Sequence, residues 1–302
     1  VVLAELDFAP LRSGGKGSPA GLAAAVTEAC VRDGGFVAVG HGVSAVDGLL
    51  LQASRFFELG HGEREAVRVN GANRGYSPIG EGGKPGFLPD AKEVFQVGSI
   101  RSGDNVWPEL DGFRTELEGG LAELQGFALE LLGLLATGLG LGPGALEEHC
   151  RPPAVVLRLH HYPAVADGSA RRFGAAPHTD YGTIGLIAEA PSGGGLEAQD
   201  QAGAWVPVDA PPGALVVIAG ELLAWWSGGR LRALPHRVPV PAGGPRFSVA
   251  TFVNPSAEAR LRPIGSDREP ALSVADFIAA LVAQREAARA AAGPATLSAQ
   301  PS

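Results

Sequence analysis

The residues of this chain best placed for chemistry are His178 and Asp180, separated by a single threonine. On a strand, residues i and i+2 point to the same face, so this pair can offer an imidazole and a carboxylate to one point. A third ligand has to come from elsewhere. His236 is the best candidate, 56 residues beyond Asp180 in the run Arg232 to Val238 and next to a predicted strand. Two histidines and one carboxylate on one face of a metal leave further positions open, which suits an iron(II) that must also take a cosubstrate and O2. Zinc hydrolases use the same donors, so the ligands alone leave the metal open. The remaining histidines, His41, His61, His149, His160 and His161, read as packing, helix-end or surface residues.

The feature that favours iron is Arg246-Phe247-Ser248, ten residues past His236 on another predicted strand. Arginine offers a planar, permanently charged fork that grips a carboxylate through two hydrogen bonds, and serine on the same face adds a third donor. Such an anchor beside a metal with open positions suits a 2-oxo acid, its keto acid end on the metal and its far carboxylate on the arginine. A zinc hydrolase would give Arg246 no purpose.

The segments Pro177 to Asp180, Pro212 to Gly220, Leu234 to Val238 and Arg246 to Ser248 together resemble the isopenicillin N synthase-like group of iron(II)- and 2-oxoglutarate-dependent dioxygenases. Earlier in the chain, Gly35-Phe36 through Gly40-His41-Gly42, Arg74-Gly75-Tyr76 and Lys92-Glu93-Val94-Phe95 follow the group's N-terminal region. The resemblance runs over about residues 3–285. It implies a double-stranded β-helix (jelly-roll, cupin-like) core with its iron at the open mouth. It also implies an oxygenase that turns 2-oxoglutarate and O2 into succinate and CO2 while a small-molecule substrate is hydroxylated, desaturated, cyclised or ring-expanded. His178, Asp180 and His236 would be the iron ligands. Arg246 and Ser248 would hold 2-oxoglutarate, joined by Tyr162, which falls where the group has a cosubstrate-binding tyrosine. His160 is a departure, standing where many members have asparagine. Tyr76, Phe95, Tyr181 and Trp225 match regions that border the substrate pocket in the group. Two alternatives remain: an oxidase of the same group that takes all electrons from its own substrate, as isopenicillin N synthase or aminocyclopropane carboxylate oxidase does, and a ligand-binding barrel without catalysis.

The elements that must position these residues fall into two halves. The first 150 residues read as mixed and mostly helical. An alanine-rich helix over Leu22–Arg32 ends at Gly34-Gly35, a short strand covers Phe36–Val39, and a helix covers Val46–Leu59. Asn70–Gly86 is rich in glycine and proline and is expected to be loop, with Gly80–Gly86 open to two readings, a flap over substrate or a plain connection. Phe113, Leu117, Leu121, Leu124, Ala128, Leu131, Leu132 and Leu135 recur at spacings of three and four and predict a long amphipathic helix. From about residue 153 the character changes to short apolar runs separated by turn signals: Ala154–Leu159, Thr183–Ala188, Leu196–Gln199, Trp205–Val208, Leu215–Ala219, Arg237–Val240 and Phe247–Val253. That rhythm predicts a sandwich or barrel. A helix over Val274–Ala292 follows. The expectation is one catalytic unit, mainly β with flanking α: an N-terminal mixed helical region (1–150), the β core (151–256), a C-terminal helical region (257–293) and a disordered tail (294–302).

Composition limits the partners. The net charge is −8, and Lys16, Lys84 and Lys92 are the only lysines, so no basic stripe exists for nucleic acid. The longest uncharged stretch, Leu131 to Leu146, is too short to span a bilayer and is broken by glycines and Pro143. Cys30 and Cys150 cannot build a disulfide framework and read as reduced thiols. Together with the lack of a leader-like N-terminus, this predicts a cytoplasmic monomer acting on a small molecule. No G-x-S-x-G, G-x-x-x-x-G-K-[ST] or G-x-G-x-x-G pattern competes with this reading.

Overall fold

The computed structural model describes residues 3–12, 18–81, 83, 87–99, 103–164, 173–190, 195–241, 244–266 and 270–292. In chain order the elements are β1 (Glu5–Asp7), α1 (Ala9–Arg12), α2 (Pro19–Arg32), β2 (Gly35–Val39), α3 (Val46–Phe57), α4 (His61–Glu65), β3 (Gly75–Ser77), β4 (Glu93–Gly98) and α5 (Phe113–Gly138). They continue with β5 (Ala154–Tyr162), β6 (Phe173–His178), β7 (Ile184–Glu189), β8 (Glu197–Gln199), β9 (Trp205–Pro207), β10 (Leu215–Ala219), α6 (Glu221–Trp226), β11 (His236–Pro239), β12 (Arg246–Asn254), β13 (Arg260–Leu261), β14 (Leu272–Ser273) and α7 (Val274–Ala292). An eight-stranded sheet runs in the order β1-β2-β10-β7-β12-β5-β4-β3, and a four-stranded sheet in the order β6-β11-β8-β9. The predicted tail, and residues 82 and 84–86 of the glycine-rich segment, lie outside the described residues.

The helices form where the apolar stripe and the ends agree. The Ser18 side chain caps α2 by accepting from the Gly21 amide, Pro19 occupies its first turn, and Ala23, Val26, Ala29 and Cys30 form the buried face. Helix α5 is long and apolar enough to cross a membrane, but the predicted stripe from Phe113 to Leu135 is buried among α2, α3 and one face of the large sheet.

That sheet has two apolar faces because its strands alternate. On β10, Leu215, Val217 and Ala219 belong to the helix-side core, while Val216 and Ile218 join the core between the two sheets. On β5, Val155, Leu157 and Leu159 face the helices. The intervening Arg158, His160 and Tyr162 therefore face the space between the sheets. A one-residue slip would exchange the two sets. The register is long and unbroken: β12 pairs with β5 from Arg246↔Tyr162 through Ser248↔His160 and Ala250↔Arg158 to Asn254↔Ala154.

Six strands, β1, β3, β4, β6, β13 and β14, go beyond what the sequence predicts. Gly75–Ser77, expected to be loop, pairs with Val94–Gln96 of β4. Gly75–Ser77 has a single strand-favouring residue, Tyr76, and it is the pairing with β4 that orders it. Phe173–His178 contains two alanines and a glycine, yet it is a strand because β11 lies alongside it.

A buried carboxylate secures β4 to β5 from the helix side. Glu93, 5% exposed, accepts from the Tyr76 hydroxyl at 2.5 Å, from Arg64 Nη1 at 2.8 Å and from His161 Nδ1 at 2.7 Å. Burial opposes its charge, but the His161, Tyr76 and Arg64 donors prevail and hold its carboxyl below the usual carboxylate range. Glu93→Ala should destabilise the protein by about 3 kcal/mol, because it leaves a largely buried guanidinium unpaired. Urea unfolding measures this, and a loss under about 1 kcal/mol would show that the network contributes little.

Candidate active site

The two sheets each supply part of one cavity of about 320 Å³. In the small sheet, β6 and β11 place His178 opposite His236, with ring centroids 4.3 Å apart. Each ring is held by its own chain: His178 Nδ1 lies 2.7 Å from the Ala176 carbonyl, and His236 Nδ1 lies 3.0 Å from that of Leu234. A carbonyl can only accept, so Nδ1 carries the proton and Nε2 presents its lone pair. Asp180 completes the group, with Oδ1 3.7 Å from His178 Nε2 and Oδ2 4.0 Å from His236 Nε2. The three donor atoms lie within 4.8 Å of one another. Asp180 Oδ2 is buried with no hydrogen-bond partner, a costly arrangement for a carboxylate unless a cation is to meet it. Two oriented imidazoles and an unsatisfied carboxylate oxygen fit a divalent metal.

Asp180 does not reach this point by strand alternation. Strand β6 ends at His178, and Thr179 and Asp180 lie in the connection to β7, which corrects the expectation that both ligands sit on one strand face. The connection is fixed by α6 instead. The first turn of a helix has amides without intrahelical partners. Here the Glu221 amide donates to the Asp180 carbonyl at 2.8 Å, and the Leu222 amide donates to the carbonyls of Tyr181 and Gly182 at 3.2 and 3.1 Å. Gly220 precedes the helix so closely that a Cβ there would collide with the Gly182 carbonyl. From the far side, Arg285 of α7 donates to the Thr179 carbonyl and hydroxyl and to Glu221, and its guanidinium lies 4.6 Å from the centre of the Tyr181 ring.

The large sheet supplies the cationic end. Arg246 and Ser248 are 2% and 1% exposed, and Arg246 Nη1 donates to Ser248 Oγ at 3.3 Å. The guanidinium carbon lies 4.5 Å from the centre of the Tyr162 ring, and Glu189 pairs with the same guanidinium. Burial pulls Arg246 below its ordinary value, which the neighbouring Tyr162 hydroxyl opposes. The β12 register brings these groups together, since Arg246 is opposite Tyr162, and Ser248 is flanked by His160 and Glu189.

A profile of the 2OG-Fe(II) oxygenase superfamily matches residues 153–255, and one described as the N-terminal region of non-haem dioxygenases in morphine synthesis matches residues 5–110. A 2-oxoglutarate-dependent dioxygenase of Aspergillus niger is 31% identical over 272 residues, covering 84% of each chain. The chain belongs to the 2OG-Fe(II) oxygenase superfamily. Another 2-oxoglutarate-dependent dioxygenase, from Monascus ruber, is 32% identical over 286 residues, 84% of this chain and 86% of its own. Among solved structures, a full-length Neurospora crassa protein in complex with alpha-KG superposes with a TM-score of 0.82 at 24% identity, over 93% of this chain and 96% of that one. A rice dioxygenase for auxin oxidation gives 0.75 at 26% identity, over 93% and 95%. The expected jelly-roll core with flanking helices is the observed architecture. The oxygenase uses iron(II), 2-oxoglutarate and O2. The oxidase and ligand-binding alternatives are not favoured.

Of the expected site residues, the cavity of this oxygenase is lined by His178, Asp180, His236, Arg246, Ser248 and Tyr162. The four expected pocket residues are placed elsewhere. Tyr76 and Phe95 are 2% and 0% exposed in the helix-side core, where both pack on Phe56. Alternation instead points their neighbours Ser77, Val94 and Gln96 into the cavity. Tyr181 lies against Arg285, and Trp225 packs on Phe277 of α7 with ring centroids 5.0 Å apart, both outside the lining. Glu189, Glu221, Arg285, Arg158 and Gln96 were missed by sequence reasoning. Only the inward parity of Arg158, shared with His160 and Tyr162 on β5, could have signalled one of them.

His160 takes its asparagine-like place on the inner face, buried and with Nδ1 lacking a hydrogen-bond partner. Burial and the charges of Lys92, Arg158 and Arg246 hold its imidazole well below the ordinary value. It stays neutral when folded and takes up a proton on unfolding. Stability should therefore fall as pH drops below about 6.5, by up to about 1.4 kcal/mol per pH unit from this residue. His160→Asn should flatten the fall in melting temperature between about pH 6.5 and 5, and an unchanged slope would refute a buried neutral ring. For the Asp180 connection, Gly220→Ala should weaken iron(II) binding roughly tenfold or more in a metal titration. Unaltered affinity would show that α6 does not set the carboxylate.

Proposed function

We propose that His178, Asp180 and His236 hold iron(II) through Nε2, a carboxylate oxygen and Nε2, and that Arg246, Ser248 and Tyr162 hold the far carboxylate of 2-oxoglutarate. The observation that carries this reading is the convergence of two carbonyl-oriented imidazoles on Asp180, whose Oδ2 is buried without a partner. When bound, iron(II) with 2-oxoglutarate activates O2, yielding succinate and CO2 and oxidising a C–H bond of the substrate. The chain's own part is binding and orientation. The Ala176 and Leu234 carbonyls fix the tautomer of each histidine, and α6 with Arg285 fixes Asp180. The Arg246 fork, with Ser248 Oγ beside it, would hold the carboxylate through charge-assisted hydrogen bonds. Glu189 shares that fork and limits how strongly it attracts a second carboxylate. His160 stays neutral next to the cosubstrate and adds no further charge.

The substrate is a small molecule taken up between the sheets by a single chain. The similar Neurospora crassa protein has been crystallised with thymine, and the rice protein is a dioxygenase for auxin oxidation, both ligands of that size class. We infer a monomer that binds neither nucleic acid nor membrane; the net charge of −8 and the burial of the α5 stripe support the latter two points. The free, buried Cys30 and Cys150 support a reducing, cytoplasmic setting.

Anaerobic addition of iron(II) and then 2-oxoglutarate to metal-free protein should give the visible charge-transfer band of a chelated 2-oxo acid. Arg246→Ala should raise the 2-oxoglutarate concentration for half-formation at least tenfold, a loss of about 1.4 kcal/mol or more. His178→Ala should abolish the band with the fold retained. A band that survives His178→Ala would refute the metal assignment.

A further inference from the structure

The cavity contains a cation that neither iron(II) nor 2-oxoglutarate needs. Among the described residues, three basic side chains with high ordinary pKa values line it: Arg246, Lys92 and Arg158. Arg246 is the cosubstrate anchor. Lys92 is neutralised by Asp90, Nζ to Oδ2 at 3.0 Å. Among the described residues no carboxylate reaches ion-pair distance of Arg158. Asp180 attracts it without contact, and burial pulls its guanidinium below the ordinary value.

This guanidinium is nevertheless held in place. Arg158 Nε donates to Gln96 Oε1 at 3.0 Å, and Gln96 Nε2 donates to the Asn73 carbonyl at 2.7 Å. Its carbon lies 5.2 Å from the centre of the Phe252 ring. The relay uses only Nε, so both terminal nitrogens of the fork keep their hydrogens for another partner. On the neighbouring strand the residue opposite Arg158 is Ala250, whose small side chain leaves room beside it. A half-buried, pre-oriented fork that meets no counter-ion among the described residues is costly to the folded protein, and such costs concentrate where a ligand is to be bound.

Position separates this cation from the cosubstrate anchor. Arg158 is four residues from Tyr162 on β5, as Ala250 is from Arg246 on β12, about 13 Å along the strands. That spacing puts the two arginines two rungs apart on the ladder, and we assign them to two different molecules.

We propose that Arg158 is the specificity residue for the prime substrate, and that this substrate carries a carboxylate gripped by the Arg158 fork. The proposal rests on the reading of this cavity as the oxygenase site. The bound acid would lie between Phe252, Gln96 and Asp180, its carboxylate at Arg158 and the rest of the molecule directed to the metal ligands.

The test uses matched acids and primary amides, beginning with phenylacetate and phenylacetamide and extending to longer and bicyclic pairs. Binding to the anaerobic iron(II)·2-oxoglutarate protein is followed by perturbation of the visible band and by calorimetry. At least one acid should bind roughly tenfold or more tightly than its amide. Arg158→Met and Arg158→Gln should abolish that preference while the band with 2-oxoglutarate forms as in the wild type. The proposal is overturned if no acid in the series exceeds its amide or if the preference survives both substitutions. It is equally overturned if both variants lose iron or the 2-oxoglutarate band, which would make Arg158 a positioning residue for Asp180. Failure of the oxygenase reading is separately visible, as absence of the band in the wild-type protein.

Discussion

The site depends on a small set of backbone hydrogen bonds between the start of α6 and the connection from β6 to β7. A carboxylate on a free connection would sample many positions, and two histidines alone make a weaker metal site. The unpaired amides of Glu221 and Leu222 take the carbonyls of Asp180, Tyr181 and Gly182 as partners, which satisfies both segments together. Asp180 is thus held as firmly as a strand residue without being one. Gly220 permits the approach, and Arg285 ties the same connection to the C-terminal helix. The C-terminal helix therefore contributes to the geometry of the metal group although it gives no ligand.

The second constraint is the register among β4, β5, β12 and β7. Because alternate side chains face opposite sides, pairing Arg246 with Tyr162 dictates that Ser248 meets His160 and Ala250 meets Arg158. The adjoining strands bring Glu189 beside Ser248 and Gln96 beside Arg158. The proposed cosubstrate anchor, the buried His160 and Arg158 belong to successive rungs of one ladder. The same alternation places the Glu93 network and the Phe56, Phe95 and Phe113 cluster on the opposite face, where they hold the ladder against the helices.

Much of this was legible in the residues. Long apolar stripes announced α2, α3, α5 and α7, and short runs with turn signals announced most strands of the core. The donors His178, Asp180 and His236 and the Arg246–Ser248 pair stood out because their chemical types are hard to account for otherwise. Less visible were strands whose order comes from a distant partner: Gly75–Ser77 and Phe173–His178 carry weak local propensity and form because another strand completes their hydrogen bonds. Tyr76 and Phe95 show the related difficulty. Their neighbourhood was rightly placed at the cavity wall, but which face each presents is a matter of parity, and parity is set by pairing.

Sequence by itself determined the candidate donor set, the Arg246–Ser248 pair proposed as carboxylate anchor, the family and the mixture of elements, since these follow from side-chain chemistry and local periodicity. The tertiary structure decided which side chains share a cavity, that Asp180 is delivered by a helix-anchored connection, and that Arg158 meets no counter-ion among the described residues. Those facts depend on contacts between segments far apart in the chain, such as Gln96 with Arg158, Glu221 with Asp180, and Arg285 with Thr179. No local pattern encodes them, because each exists only when the sheets and helices have already packed.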